Sequence, residues 1–334
     1  MNPLIVLAVA VIGCATALFV TPYVRRLALN VGMLDATGGR RMHDQPKPRI
    51  GGIAVYLGFA LALFSALGYL IRTKQYGDVA NLHDVVGLIF GGTLILMVGI
   101  WDDVMGMSPR SKLLAQALVA CISMLYGFQI QFITNPFHHG ATLYFPVGVS
   151  YALTLLWYLG MMNAINFIDG LDGLLSGVTV ISAVFLILID LNRGHPEIAL
   201  VLAALAGATL GFLRYNWNPA KIILGDSGAL FIGFVFATVS IIGVSKTAFA
   251  ISLLVPLLVL GLPVADTAAA IVRRTRAGKA FYEADRGHFH HQLIFRFGLN
   301  VRQAVLLIYA VCLALGVLAL ILTGGVGALK IAFH

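Results

Sequence analysis

An all-α polytopic membrane protein is the fold class this sequence predicts, and three observations predict it. Hydrophobic residues make up 60% of the 334-residue chain and charged residues only 11%, against about half and about a quarter in a soluble domain. The mean hydropathy of +0.93 comes from repeated apolar runs, each long enough to cross a hydrocarbon core. Those runs are continuous, without the two-residue alternation of a barrel strand, so the spans are expected to be helices. No loop is long enough to build a second core, so residues 1–334 are expected to form one integral-membrane domain.

The first run, residues 3–22, lacks a basic leader and a small-residue cleavage site and is followed by Arg25 and Arg26. It is expected to be a retained span with the N-terminus outside. A basic loop over residues 25–49 comes next, with Gly38, Gly39, Arg40, Arg41, His43, Pro46, Pro48 and Arg49. Apolar runs then recur at about 50–71, 84–101, 112–128, 148–162, 174–191, 198–213, 228–245, 247–271 and 303–323. Together these predict about ten transmembrane helices. Between the fourth and fifth, residues 129–147 alternate polar and apolar side chains around Asn135-Pro136 and Gly140, the pattern of a short hairpin at the outer interface.

Charge orients the bundle. With the first loop inside, the inner loops hold 17 of the 22 basic residues, and the outer loops keep Arg72, Lys74, Arg193, Lys246 and Lys330. Such an excess places both termini outside the cytoplasm. The same rule accounts for the net charge of +8 without nucleic acid as a partner. Cys14, Cys121 and Cys312 lie in apolar runs with no metal-ligand spacing and suggest neither a disulfide framework nor a metal site.

In this topology every dense polar cluster falls on the cytoplasmic side, which is where an active site is expected. Asp102-Asp103 closes the third span and leads into Ser108-Pro-Arg110-Ser-Lys112. Asn163-Ala-Ile-Asn166-Phe-Ile-Asp169-Gly-Leu-Asp172-Gly173 closes the fifth, and its three-residue steps put two amides and two carboxylates on one stripe of a helix. Gly170 and Gly173 point to a broken turn in the second half. Leu224-Gly-Asp226-Ser-Gly228 precedes the eighth span, Asp266 sits near the inner end of the ninth, and Asp285-Arg286-Gly-His288-Phe-His290-His291 lies in the last inner loop.

Acids at membrane depth face a cavity and a partner. Asp102 and Asp103 repel unless a cation shares them, which suits a metal-linked or base role, or pairing with Arg110 or Lys112. Asp226, between glycines, has room for an ion or ligand to approach. Asp169 and Asp172 suit either a site or ion pairs with basic loops. Asp266 could orient a neighbour or cap a helix. The histidine triplet, set among Arg273, Arg274, Arg276, Lys279 and Arg286, suits phosphate or sugar contacts better than zinc, because no Cys is near. Mg²⁺ takes oxygen ligands and bridges protein carboxylates to substrate phosphates. Few carboxylates among many basic groups therefore fit a pyrophosphate substrate, and the apolar bulk offers a wall to a lipid co-substrate.

Asp102-Asp103, the 163–174 stretch, Leu224–Gly228 and His288-Phe-His290-His291 occur here in the order seen in the polyprenyl-phosphate N-acetylhexosamine-1-phosphate transferases. The chain resembles that family from about residue 40 to residue 291. Pro48-Arg49-Ile-Gly-Gly52 and the histidine triplet look more like the bacterial branch that makes undecaprenyl-pyrophosphoryl-GlcNAc than the branch using UDP-MurNAc-pentapeptide. The resemblance implies a multi-pass enzyme of the bacterial cytoplasmic (inner) membrane that joins UDP-GlcNAc to undecaprenyl phosphate. It would release UMP in the first membrane step of a cell-envelope glycan, with Mg²⁺, or Mn²⁺ in its place, as cofactor. By motif position Asp226 and Asn166 would hold the metal. Lys112 would contact the pyrophosphate, and Asp102 and Asp103 would face the lipid phosphate as catalytic groups. Asn163, Asp169 and Asp172 would line the donor pocket, and Arg286, His288, His290 and His291 would recognise phosphate or amino sugar. Val104-Met105-Gly106 after the acid pair departs from a DDxxD metal site.

That departure also speaks against an intramembrane prenyltransferase with two Asp-rich Mg²⁺–diphosphate sites. An intramembrane aspartyl protease would need Gly where Ile223 stands. A CDP-alcohol phosphotransferase would need Ala-Arg where Leu174-Leu175 stand. A transporter would place its charges at the midplane. Lipid-facing apolar surface could host a homodimer.

Overall fold

A computed structural model describes residues 3–35, 46–73, 82–134, 142–246, 260–276 and 289–324. Eleven helices appear among them: α1 (Pro3–Val31), α2 (Gly52–Arg72), α3 (Leu82–Met105), α4 (Pro109–Leu125), α5 (Val147–Ile168), α6 (Leu174–Asn192), α7 (Pro196–Asn216), α8 (Gly225–Lys246), α9 (Gly261–Arg276), α10 (Phe289–Phe295) and α11 (Val301–Leu322). Two small antiparallel pairs complete the fold. In one, β1 (Leu34–Asp35) lies against β2 (Lys47–Pro48). In the other, β3 (Phe132–Thr134) lies against β4 (Thr142–Tyr144), so the hairpin predicted between the fourth and fifth spans forms, with Phe132 opposite Tyr144.

By length and composition, eight of the helices can cross a membrane: α1, α2, α3, α5, α6, α7, part of α8, and α11. Each lies on a run expected to be a span. The fourth run also forms a helix, α4, which opens on Pro-Arg-Ser-Lys and has 17 residues, at the short end of the range that crosses a hydrocarbon core. The ninth run lies partly outside the described residues, and its described end is α9, which finishes on Arg273, Arg274 and Arg276. The first helix is longer than expected. It continues past residue 22 through Arg25 and Arg26 to Val31, because Thr21, Val24 and Ala28 keep a buried stripe at helical spacing.

Burial ranks the helices. The membrane-length segment of α8 is 89% buried and that of α7 78% buried, whereas the α1 segment is 28% buried. A helix apolar on every face belongs in the centre, and α8 is the post against which α2, α3 and α5 pack. Tyr158 and Thr238 share a hydroxyl hydrogen bond of 2.9 Å across the α5–α8 seam, and Trp157 Nε1 donates to the Ala237 carbonyl at 3.3 Å. On the other side α7 packs against α1, α2 and α6. Its crossing with α1 runs through small residues, Ala10, Gly13 and Cys14 against Ala204, Gly207 and Gly211, which let helix backbones approach where no hydrophobic effect drives them together.

At one end of the bundle the chain between α7 and α8 is pinned from several directions. The Ile223 N–H donates to the Pro48 carbonyl (2.8 Å), and the N–H groups of Gly51 and Gly52 donate to the carbonyls of Ile223 (3.1 Å) and Leu224 (2.9 Å). Asn216 accepts from the Gly173 N–H (3.1 Å) and the Ser176 hydroxyl (2.8 Å) and donates to the Ile222 carbonyl (3.1 Å). These bonds satisfy backbone groups that an irregular buried segment would otherwise leave unpaired. They also fix where α8 begins.

Candidate active site

Four helix ends meet at this end of the bundle: the last turns of α3 and α5 and the first turns of α4 and α8. Asp102, near the end of α3, shapes its own turn. One carboxylate oxygen accepts from the Met107 N–H at 2.7 Å, and Gly106 at φ 71° closes the chain back on itself. Ser108 then caps α4 by accepting from the Ser111 N–H at 3.2 Å, with Pro109 pre-set for the first turn. That start brings Lys112 back towards α3. Its Nζ lies 2.8 Å from Asp102 Oδ2, 2.9 Å from Asp226 Oδ1 and 3.2 Å from Asn166 Oδ1. Asn166 Nδ2 also donates to Asp226 Oδ1 at 2.5 Å. Residues 102, 112, 166 and 226 thus converge on one point while keeping partial access to solvent.

Asp103 lies outside that convergence. Its carboxylate is completely buried and accepts from the backbone N–H groups of Asp226 (2.9 Å) and Ser227 (3.0 Å), with Arg49 Nε 3.5 Å away. It sits on the N-terminus of α8, where unpaired N–H groups and the helix dipole favour an anion. Gly225 makes this possible, being at φ 77° with no Cβ; a Cβ there would stand 2.5 Å from an Asp103 oxygen. For the adjacent acids the sequence leaves open a metal-linked or base role, or pairing with Arg110 or Lys112, and the two part company. Asp102 meets Lys112, and Asp103 meets a helix end and Arg49.

The predicted stripe of 163, 166, 169 and 172 also divides, because α5 ends at Ile168 and the next five residues turn. Only Asn166 joins the Lys112 cluster. Asn163 donates to Gln116 Oε1 (2.7 Å) and to the Leu159 carbonyl (2.8 Å), and so joins α5 to α4. Asp172 is buried as well. It accepts from Lys47 Nζ (2.7 Å), Asn218 Nδ2 (3.0 Å) and the Ala220 N–H (2.9 Å), bolting the 217–224 segment to β2. Asp169, just past the end of α5, is the acid of this stretch whose carboxylate accepts no hydrogen bond among the described residues. Crowding by protein, then the neighbouring carboxylates of Asp226 and Asp103, push its pKa up to about 8 against the pull of Arg49.

Arg286 and His288 lie outside the described residues, as do the side chains of His290 and His291. The backbone of the histidine segment is placed by Asp266, whose Oδ1 accepts from the Phe289 N–H at 2.9 Å and so ties the start of α10 to α9. The sequence singled out neither Arg49 nor Lys47 as a site residue. Both sit in the loop that hydrogen-bonds to 222–224, and only the Pro48-Arg49-Ile-Gly-Gly52 motif hinted at it.

The side chains that converge offer oxygen donors only. No group of three or more His, Cys, Asp or Glu side chains suited to a metal occurs among the described residues, which does not match a closed zinc centre. One carboxylate and one amide oxygen, with a second carboxylate across Lys112, match Mg²⁺, which keeps waters and shares its shell with substrate phosphates.

The model of glycosyl transferase family 4 matches residues 85–244. A probable undecaprenyl-phosphate N-acetylglucosaminyl 1-phosphate transferase of Bacillus subtilis (strain 168) is 34% identical over 313 residues, covering 93% of this chain and 83% of that protein. A decaprenyl-phosphate N-acetylglucosaminephosphotransferase of Mycolicibacterium smegmatis is 35% identical over 323 residues, covering 90% and 78%. An undecaprenyl-phosphate alpha-N-acetylglucosaminyl 1-phosphate transferase of Escherichia coli (strain K12) is 30% identical over 305 residues, covering 89% and 79%.

Proposed function

Since the chain belongs to glycosyl transferase family 4, among the polyprenyl-phosphate N-acetylglucosamine-1-phosphate transferases, we propose that it moves GlcNAc-1-phosphate from UDP-GlcNAc to undecaprenyl phosphate. It is a multi-pass membrane enzyme. We further propose that both termini lie outside, that the polar end faces the cytoplasm, and that the membrane is the inner membrane of a bacterium. The observation that supports it best is the convergence of Asp102, Lys112, Asn166 and Asp226 from four helix ends.

In the proposed reaction an oxygen of the lipid phosphate attacks the β-phosphorus of the nucleotide sugar. A new P–O–P bond forms, the old bridging bond breaks, and its electron pair leaves with UMP. A phosphate monoester with a second pKa of about 6 is already largely dianionic at neutral pH, so the step needs no net proton transfer. Asp102 then orients Lys112 rather than acting as a base, and Asp103, with both oxygens on backbone N–H groups, fixes the start of α8. Lys112 neutralises charge on the transferring phosphoryl group, where a preorganised cation contributes most. Asp226 and Asn166 would hold Mg²⁺, which supplies further charge neutralisation on the pyrophosphate. We assign Asp169, which feels the charge of Asp226, to the donor side of the cluster.

The test is a panel of UDP-sugars offered to the purified protein with undecaprenyl phosphate, following UMP. UDP-GlcNAc should release UMP and lipid-linked sugar in equal amounts. Asp226→Asn should lower Mg²⁺-dependent turnover by about a hundredfold or more. Release of UMP only from another UDP-amino sugar would reassign the donor. Phosphorylated protein trapped from donor alone would replace direct attack with a covalent aspartyl-phosphate route.

A further inference from the structure

A second polar feature lies behind the site, on the far side of the 217–222 segment. A cleft of about 620 Å³ is walled by the end of α7, the turn at residues 217–221 and the start of α11. Arg214, Lys221 and Arg302 line it, all exposed, together with Trp217 and Tyr215. Arg25 of α1 reaches the same turn. Two of these cations are held in place: Arg25 Nε donates to the Lys221 carbonyl and Arg302 Nε to the Asn218 carbonyl, each at 3.1 Å. A guanidinium anchored through Nε keeps its terminal nitrogens for another acceptor. Among the described residues, no carboxylate lies within ion-pair distance of Arg25, Arg214, Lys221 or Arg302. General positive-inside placement would scatter cations along helix ends. Here two are fixed on carbonyls of one turn and two more share its cleft.

The surroundings indicate what the anion carries. Leu210, one turn before Arg214 and part of the same wall, is half exposed, and Leu306, one turn after Arg302, is 55% exposed. Phe19 and Tyr23 of α1 also point outward. All belong to helices long and apolar enough to span a membrane. A ligand here meets cations and an aromatic edge at one end and a lipid-facing wall along its length.

We propose that this cleft binds the phosphate of an anionic phospholipid, with Arg214, Lys221 and Arg302 on the headgroup and the acyl chains along α7 and α11. The turn it grips carries Asn218 and Ala220, which hold Asp172, and Asn216 at its start holds Gly173. The lipid therefore braces the segment that fixes both the 169–173 turn and the start of α8. It does so without touching the Lys112 cluster.

The test measures binding to the full-length protein by native mass spectrometry from neutral detergent, with phosphatidylglycerol and phosphatidylcholine as probes and no donor or acceptor present. The wild type should retain one phosphatidylglycerol in preference to phosphatidylcholine. Each cation removed should weaken retention about fivefold, the equivalent of about 1 kcal/mol per basic group at a lipid surface. The R214Q/K221Q/R302Q variant should therefore lose it. R214Q alone, an exposed change that breaks no bond to the turn, should show the single fivefold step even if the triple variant does not fold. Equal retention of the two lipids, undiminished binding in R214Q, or displacement by inorganic phosphate alone at matched concentration would each overturn the proposal. Because binding is read without turnover, its failure is distinct from any failure of the transferase reading.

Discussion

Asp102 and Asp103 are neighbours in the chain, but successive residues leave a helix about 100° apart. That rotation sends one carboxylate to Lys112 and the other under the N-terminus of α8. Asp103→Ala should remove the cap and the carboxylate beside Arg49. A loss of roughly 1–3 kcal/mol is expected, read as a lower melting temperature in detergent, together with weaker Mg²⁺ dependence of turnover because Asp226 loses its fixed backbone. Asp103→Asn, which keeps one acceptor, should fall between. An unchanged melting temperature in the alanine variant would remove Asp103 from this role. Asp169 behaves differently. Its folded pKa of about 8 lies above the ordinary carboxylate value, so the folded state holds a proton that the unfolded chain gives up. The stability of the metal-free protein should therefore decline as pH rises from about 4 through 8. Asp169→Asn should flatten that decline, measured as melting temperature against pH in the presence of a chelator.

At the scale of elements, the site depends on how closely α3 approaches α8. Gly99 sits one turn before Asp103, and a Cβ there would lie 2.4 Å from Ser227 Cα and 2.6 Å from its nitrogen. Both are backbone atoms, so relief requires moving a helix. Gly99→Ala should destabilise by about 1–3 kcal/mol and push Asp226 away from Lys112. Turnover should then fall more than retention of the fold, a contrast visible by comparing UMP release with melting. Equal activity in Gly99→Ala would mean the two helices have slack. The sequence placed Asn163, Asn166, Asp169 and Asp172 on one helical face, and only Asn166 joins the cluster. The break was legible in Gly170 and Gly173, and α5 does end at Ile168 with 169–173 in turns, but the partners that hold Gly173, Asn216 and Tyr309, come from distant helices.

For the whole molecule, the apolar runs carried most of the fold. A run of about twenty apolar residues has one stable solution in lipid, a helix that satisfies its own backbone, and eight such helices stand where the runs predicted them. Orientation is testable on the intact protein. In a cysteine-free background, single cysteines near either terminus should react with an impermeant reagent from outside, whereas Lys221→Cys should react only after permeabilisation. A protected terminus would mean an odd number of crossings or an inverted bundle.

Composition, run length and charge asymmetry determined that this chain is a helical membrane protein with its chemistry gathered at one end, because desolvating the backbone and crossing with charge are each expensive enough to be visible residue by residue. The motifs likewise identified the family. Which partner Asp102, Asp103 and Asp172 each meet was decided only by tertiary structure. A carboxylate's role depends on the partner it meets within about 3 Å. For Asp103 and Asp172 those partners come from other parts of the chain, so no local pattern could have named them.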